Sequence, residues 1–157
     1  MSKGSIGRLA GAAAVLLIAA SGCGGSGDAD VSTSSISKAQ FIKKADAVCT
    51  QGNKRMEVAF ANFLRESKNV KRPTKADYEE LVRKVVVPNL EREIREIRDI
   101  GAPSEDEDKV GEIVVALEEG LETAEGDPRV AITSSQAVYG ISSRLAKEYG
   151  LEVCSTR

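Results

Sequence analysis

Apolar residues recur at three- and four-residue steps through four stretches of this chain, the spacing that puts side chains on one face of an α-helix. The first stretch predicts a helix from about Lys38 to Glu66 behind Ser37, a good N-cap. Its stripe is Phe41, Ala45, Val48, Cys49, Gly52, Met56, Ala59, Phe60 and Phe63, while Lys43, Lys44, Asn53, Lys54 and Glu57 mostly face elsewhere. The stretch from Ser67 to Thr74 has no stripe and reads as a loop. Its cations Lys68, Lys71 and Arg72 read as a solvated turn opposing the preceding helix dipole, with docking of an anionic lipid or cell-wall polymer as the alternative.

Thr74, with Asp77 three residues on, predicts the start of a second helix carrying Tyr78, Leu81, Val82, Val85, Val86, Leu90, Ile94, Ile97 and Ile100. Pro88 falls inside it, yet the stripe keeps phase through 82, 86, 90, 94 and 97. That predicts one helix bent near Lys84 to Pro88 rather than two helices. Gly101 and Pro103 end it, and Ser104 with Glu105, Asp106 and Glu107 opens a third helix whose stripe is Val110, Ile113, Val114, Leu117, Leu121 and Ala124. A fourth helix starts between Pro128 and Ser134 and turns Val138, Ile141, Leu145 and Tyr149 inward. Gly150 and Leu151 then fit a Schellman stop. With no competing strand signal, the fold class is all-α: a single antiparallel four-helix bundle-like domain over residues 37–157.

The residues ahead of this domain carry a different pattern. Lys3 and Arg8 precede an uncharged run from Leu9 to Ala20, which ends in Ala20-Ser21-Gly22-Cys23. Basic, then apolar, then small is the order of a signal peptide. Twelve residues rise only about 18 Å as a helix, short of the ~30 Å hydrocarbon core of a bilayer, so the run does not predict a permanent span. The tetrad resembles a bacterial lipobox, with alanine where leucine is the usual first residue. That resemblance implies removal of residues 1–22 and a lipid on the sulfur of Cys23. An ordinary secretory leader that leaves Cys23 as a thiol or disulfide partner is the alternative. Residues 23–36 are then the acylated cysteine and a small, polar tract, Gly-rich at its start, that reads as a flexible tether.

Composition sharpens this picture. Loss of residues 1–22 takes Lys3 and Arg8 away and leaves 20 basic against 24 acidic side chains, formally −4. Such a surface argues against nucleic acid as a partner and leaves membrane residence to the anchor at Cys23. With Cys23 assigned to lipid, Cys49 and Cys154 remain as an even pair in a chain bound for an oxidising space. A disulfide between them is expected, and two separate buried thiols are the alternative.

Phe41-x-x-x-Ala45-Asp46-x-x-Cys49 followed by Asn53, together with Tyr149-Gly150-Leu151-x-x-Cys154, is similar to a group of small uncharacterised lipoproteins from high-GC Gram-positive bacteria. The resemblance covers most of residues 38–154. It implies a disulfide and an extracytoplasmic location, and it carries over no activity.

Candidate chemistry is mostly excluded. There is no histidine, which removes Ser-His-Asp and Cys-His catalysis and His-ligated zinc or haem. There is no Cys-x-x-Cys, and the Gly-rich tract after Cys23 lacks the Gly-Lys-Ser/Thr of a phosphate loop. Ser35-Ile36-Ser37-Lys38 spells Ser-x-x-Lys without its companion motifs. Asp106, Asp108 and Gly111 enter a calcium-loop register that Val110 and Leu117 break. No catalytic residue, metal site or cofactor is therefore expected. Two functions remain: a non-enzymatic binding or accessory module of the cell envelope, partnered by an envelope protein or lipid, and a carrier for a small apolar ligand held between the helices. A cavity in the bundle core would favour the carrier, and a solid core the module.

Overall fold

The computed structural model describes residues 36–67 and 72–156. Cys23, the leader, the tether as far as Ser35 and the basic pair Lys68 and Lys71 lie outside the described residues. Helix α1 spans Lys38–Glu66. Ser37 caps it in a complete capping box: the Gln40 N–H donates to Ser37 Oγ at 3.3 Å, and the Ser37 N–H donates to Gln40 Oε1 at 3.0 Å. Only the first half of α1 enters the core, through Phe41, Ala45, Cys49 and Gly52. The expected stripe is corrected beyond that point: Phe60 is 39% exposed, and Met56, Ala59 and Phe63 are only half-buried. Residues 56–66 keep helical hydrogen bonding but bury no side chain fully.

Thr74 and Asp77 form the second capping box, in which Asp77 Oδ2 accepts from the Thr74 N–H at 2.7 Å and the Asp77 N–H donates to Thr74 Oγ1. That backbone bond, followed by the Thr74 hydroxyl, holds the Asp77 carboxyl below the usual carboxylate range. The chain then stays helical from 75 to 100 as α2 (Lys75–Leu81), a π turn (Val82–Val86) and α3 (Val87–Ile100). The disturbance expected before Pro88 is thus the π turn itself. Within it the Val87 N–H reaches back five residues to the Val82 carbonyl, so the register shifts just before the proline that has no N–H to give. Asn89 Nδ2 donates to the Val85 carbonyl at 2.7 Å. Val85 and Val86, β-branched and poor in isolated helices, are buried here.

Helix α4 covers Glu107–Gly126 with Asp106 at the cap position, two residues later than a Ser104 cap implies. A turn precedes it, in which the Asp106 N–H donates to the Pro103 carbonyl at 2.9 Å, and the Asp106 side chain does not cap the helix but reaches across the bundle to Tyr149. The fourth expected helix divides at Ser134 into α5 (Pro128–Thr133), capped by Asp127, and α6 (Ser135–Tyr149). Gly150, at φ 105°, closes α6 in a Schellman motif: its N–H donates to the Lys147 carbonyl, and the Leu151 N–H to the Ala146 carbonyl at 2.8 Å. Leu151 is buried.

The helices pack as an all-α bundle with no strand among the described residues, and no helix there is long and apolar enough to cross a membrane. Helices α4 and α6 run antiparallel, Gly120 meeting Val138 while Asp106 meets Tyr149. This pair corrects the α6 stripe. Ser142 is buried at 3% exposure and Ala146 at 1%, whereas Ile141 stands 55% exposed. Helix α4 likewise buries Ala116 and Gly120. Close helix approach selects small side chains at the contact, and hydrophobicity alone ranks the larger Ile141 first.

Gly120 is where that approach is tightest: a Cβ there would lie 2.1 Å from the Val138 carbonyl oxygen. Gly111, on the same helix, is exposed with nothing within 4 Å of its would-be Cβ. Gly120→Ala is therefore expected to lose about 1–3 kcal/mol through overpacking. Gly111→Ala should gain about 0.5–1 kcal/mol from helix propensity alone. Thermal or urea melts of the two variants check this, and equal effects would show that Gly120 is not a packing requirement.

Candidate functional site

Helix α1 positions Asp46 and Cys49 one turn apart, and both hold the segment after α6. Cys49 and Cys154 are joined in a disulfide, their Cα atoms 5.3 Å apart across 105 residues. The alternative of two buried thiols is thereby excluded. Beside the bond, the Asp46 carboxylate accepts the backbone N–H groups of Glu152, Val153 and Cys154 at 3.2, 2.9 and 3.2 Å. The fragment Asp46-x-x-Cys49 is thus a two-point clamp, in which a carboxylate gathers three donors of a turn and a covalent bond fixes its end.

A second cluster closes the same end of the bundle. The Tyr149 hydroxyl donates to Asp106 Oδ2 at 3.0 Å, and Lys109 Nζ lies 3.3 Å from Oδ1. Phe41 meets the Tyr149 ring edge-to-face at 5.8 Å between centroids, and Lys38 Nζ sits 4.3 Å from its centre. Burial pushes the Asp106 carboxyl up, but the Tyr149 hydroxyl and the Lys109 and Lys38 cations outweigh it and hold its pKa below the usual value. Burial, then the Asp106 carboxylate, pushes Tyr149 up to about 12. Asp106 is therefore committed to structure, which removes the first ligand of the calcium-like register. Among the described residues no group of three His, Cys, Asp or Glu side chains is placed to hold a metal.

Glu93 is the residue that sequence reading missed. The pairs Glu91–Arg95 and Arg92–Glu96 occupy the outer face of α3 as expected, and Arg55 of α1 joins the second at 2.7 Å from Glu96. Burial raises the Glu96 pKa, and Arg92 and Arg55 together bring it below its usual value. Glu93, in contrast, is only 4% exposed. The signal was present, since position 93 is three residues after Leu90 and four before Ile97, on the buried stripe.

Two spaces meet at Glu93. Towards the core, between Phe41, Ile97, Leu117, Leu151 and the disulfide, the void is about 10 Å³, room for one water at most. Glu93 Oε1 lies 3.8 Å from Cys49 Sγ on this side, a contact with a sulfur that carries no proton in the disulfide. Towards solvent, an open pocket of about 260 Å³ lies between Gly52, Asn53 and Met56 of α1, Asn89, Leu90 and Glu93 of α3, Ser135 and Tyr139 of α6, and Thr156. It combines an apolar wall with hydrogen-bonding groups and a buried acid, the general composition of a small-molecule site. No family model, no curated protein and no solved structure matches this chain.

The clamp and the Tyr149 cluster generate two expected outcomes. Reduction of the Cys49–Cys154 bond should lower the melting temperature and stability by up to about 4.7 kcal/mol on the chain-entropy account. Asp46→Ala should lose about 1–3 kcal/mol with the bond still intact. The pH profile has two edges. With its pKa lowered in the fold, Asp106 contributes stability above the unfolded value near 3.9, lost as pH falls through the folded one. Tyr149, raised to about 12, contributes stability below about pH 10, lost as pH climbs towards 12. Urea melts of Asp106→Asn and Tyr149→Phe across pH should flatten the acid and the alkaline edge respectively.

Proposed function

We propose that this chain is exported, acylated at Cys23 and held by that lipid on the outer face of a membrane, where its helical domain acts by binding and not by turnover. The packed interior carries the choice of a binding module over a carrier for an apolar ligand. A carrier needs an enclosed space of about 300–1,000 Å³ between its helices, and the core void here is about 10 Å³. Recognition therefore falls to the surface and to the lateral pocket at Glu93. The Cys49–Cys154 bond supports the compartment, since disulfides persist where the redox environment is oxidising. The leader order and the tetrad ending at Cys23 support the anchor.

The domain's ionisable groups favour binding as well. Asp106 is occupied by Tyr149 and Lys109, and Asp46 by three backbone donors, so neither is disposed as a general acid or base. The chain has no histidine, the commonest general base, and that composition favours binding over turnover.

Two measurements check this reading. Mass spectrometry of membrane-fraction protein should find an N-terminus at Cys23 carrying a diacylglycerol-sized adduct, and unmodified Cys23 in the medium would defeat the anchor. Pull-down of the tethered protein from its own envelope should recover a stoichiometric partner. Turnover of an envelope substrate that vanishes in Glu93→Gln would replace binding with catalysis.

A further inference from the structure

The outer side of the contact between α1 and α3 concentrates positive charge in a chain that holds more acidic than basic side chains. A trough of about 580 Å³ lies open there, within the ~300–1,000 Å³ of small-ligand clefts. Lys54 and Arg55 of α1 and Arg92 of α3 line it, and among the described residues no Asp or Glu does. One acid serves these cations from beside the trough. Glu96 accepts from Arg55 Nη2 at 2.7 Å through Oε2 and from Arg92 Nε at 2.9 Å through Oε1. Three cations against that carboxylate leave the group with an excess of two positive charges.

Because both guanidiniums rest on one carboxylate, side chains from two helices are held within reach of a single anionic group. Each keeps N–H groups to give, since these contacts use one from each. Arg55 Nε, buried, has no hydrogen-bond partner among the described residues, so the donors of that guanidinium are not used up within the fold. The amides of Gln51, Asn62 and Asn89 carry donors and acceptors alike and choose no sign; the cations choose it. Val58, 53% exposed, and Ala59 supply the apolar part of the lining. A carboxylate ligand brings one charge and two coplanar oxygens. A phosphate monoester brings a charge of about −1.5 to −2 at neutral pH and three strong acceptor oxygens. The second matches the excess charge and the donors arriving from both walls, and a short organic group on it covers Val58.

We infer that the trough at Lys54, Arg55 and Arg92 binds a phosphate monoester, its oxygens taking N–H groups from both helices and its organic part lying on Val58 and Ala59. This rests on the reading that the domain acts by binding, and names a ligand chemistry for its surface. The same chemistry has two sources, a soluble organic phosphate and a phosphomonoester lipid headgroup.

Titration of the full chain in detergent micelles with n-butyl phosphate at fixed ionic strength, followed by amide NMR, tests the inference. Saturable shifts centred on residues 51–62 are expected, with pentanoate binding several-fold more weakly. Doping the micelles with phosphatidic acid, against phosphatidylcholine, is the second arm. Shifts at those amides with phosphatidic acid alone assign the site to a lipid headgroup, and shifts with butyl phosphate assign it to a soluble ester. Lys54→Gln combined with Arg92→Gln should weaken binding by about tenfold or more, the loss of two charge-assisted contacts. Lys147→Gln, which removes an exposed cation of α6, should leave it unchanged. If loss of the Arg92–Glu96 pair lowers the melting temperature, Lys54→Gln alone decides the matter, with an expected weakening of about threefold. Equal binding of pentanoate, equal weakening by Lys147→Gln, or no response in either arm would overturn the phosphate assignment. If it falls while the envelope pull-down still recovers a partner, the binding module stands. If both fail, both fall.

Discussion

The bond between Cys49 and Cys154, seconded by the Asp46 carboxylate, returns the end of the chain to the first helix, and most of the domain is organised around that closure. A short segment after α6 has few side chains with which to hold itself down, and chain ends without such ties are poorly ordered. Here three backbone N–H groups converge on one carboxylate while the sulfur bridge removes loop-closure freedom from the unfolded chain. The consequences reach further than the tail. Leu151 is held as a core residue, and Thr156 arrives at the rim of the lateral pocket.

Elsewhere in the bundle α4 and α6 come close together, and small residues make the approach possible. Gly120 lies against the Val138 carbonyl, and Ala116, Ser142 and Ala146 are buried on these two helices. Ser142 brings a hydroxyl into the interior and satisfies it on the Tyr139 carbonyl at 3.1 Å. The close fit leaves a core void of about 10 Å³, so the bundle has no internal chamber. Space appears instead at the side, where α1, α3, α6 and the tail meet around Glu93. The same economy that makes the core solid leaves space for a ligand at the sides of the bundle and not inside it.

Local chemistry decided much of this in advance. Helix type, the limits of α1, the caps at Ser37 and Thr74, the Gly150 stop and the survival of one helical segment across Pro88 all follow from neighbours within a few residues, and the sequence states them directly. The pairing of Cys49 with Cys154 was legible once Cys23 was read as a lipid site, because that reading leaves a single pair. Cys23 and its acylation rest on the leader pattern alone.

What tertiary structure decided concerns which face of each helix is buried, and how closely. Ile141 and Phe60 are apolar and stand on plausible stripes, yet they are exposed, because α6 turns its small residues to α4 and the second half of α1 outruns the core. Asp106 looked like a helix-start acid and became the partner of Tyr149, 43 residues away. Glu93 lay on the buried stripe by spacing, but its charge argued for the surface, and only the meeting of three helices and the tail shows it as the inner wall of a pocket. Periodicity fixes a helix because its hydrogen bonds are local; it cannot rank the contacts between helices, which depend on how near two backbones come and on residues far apart in the chain.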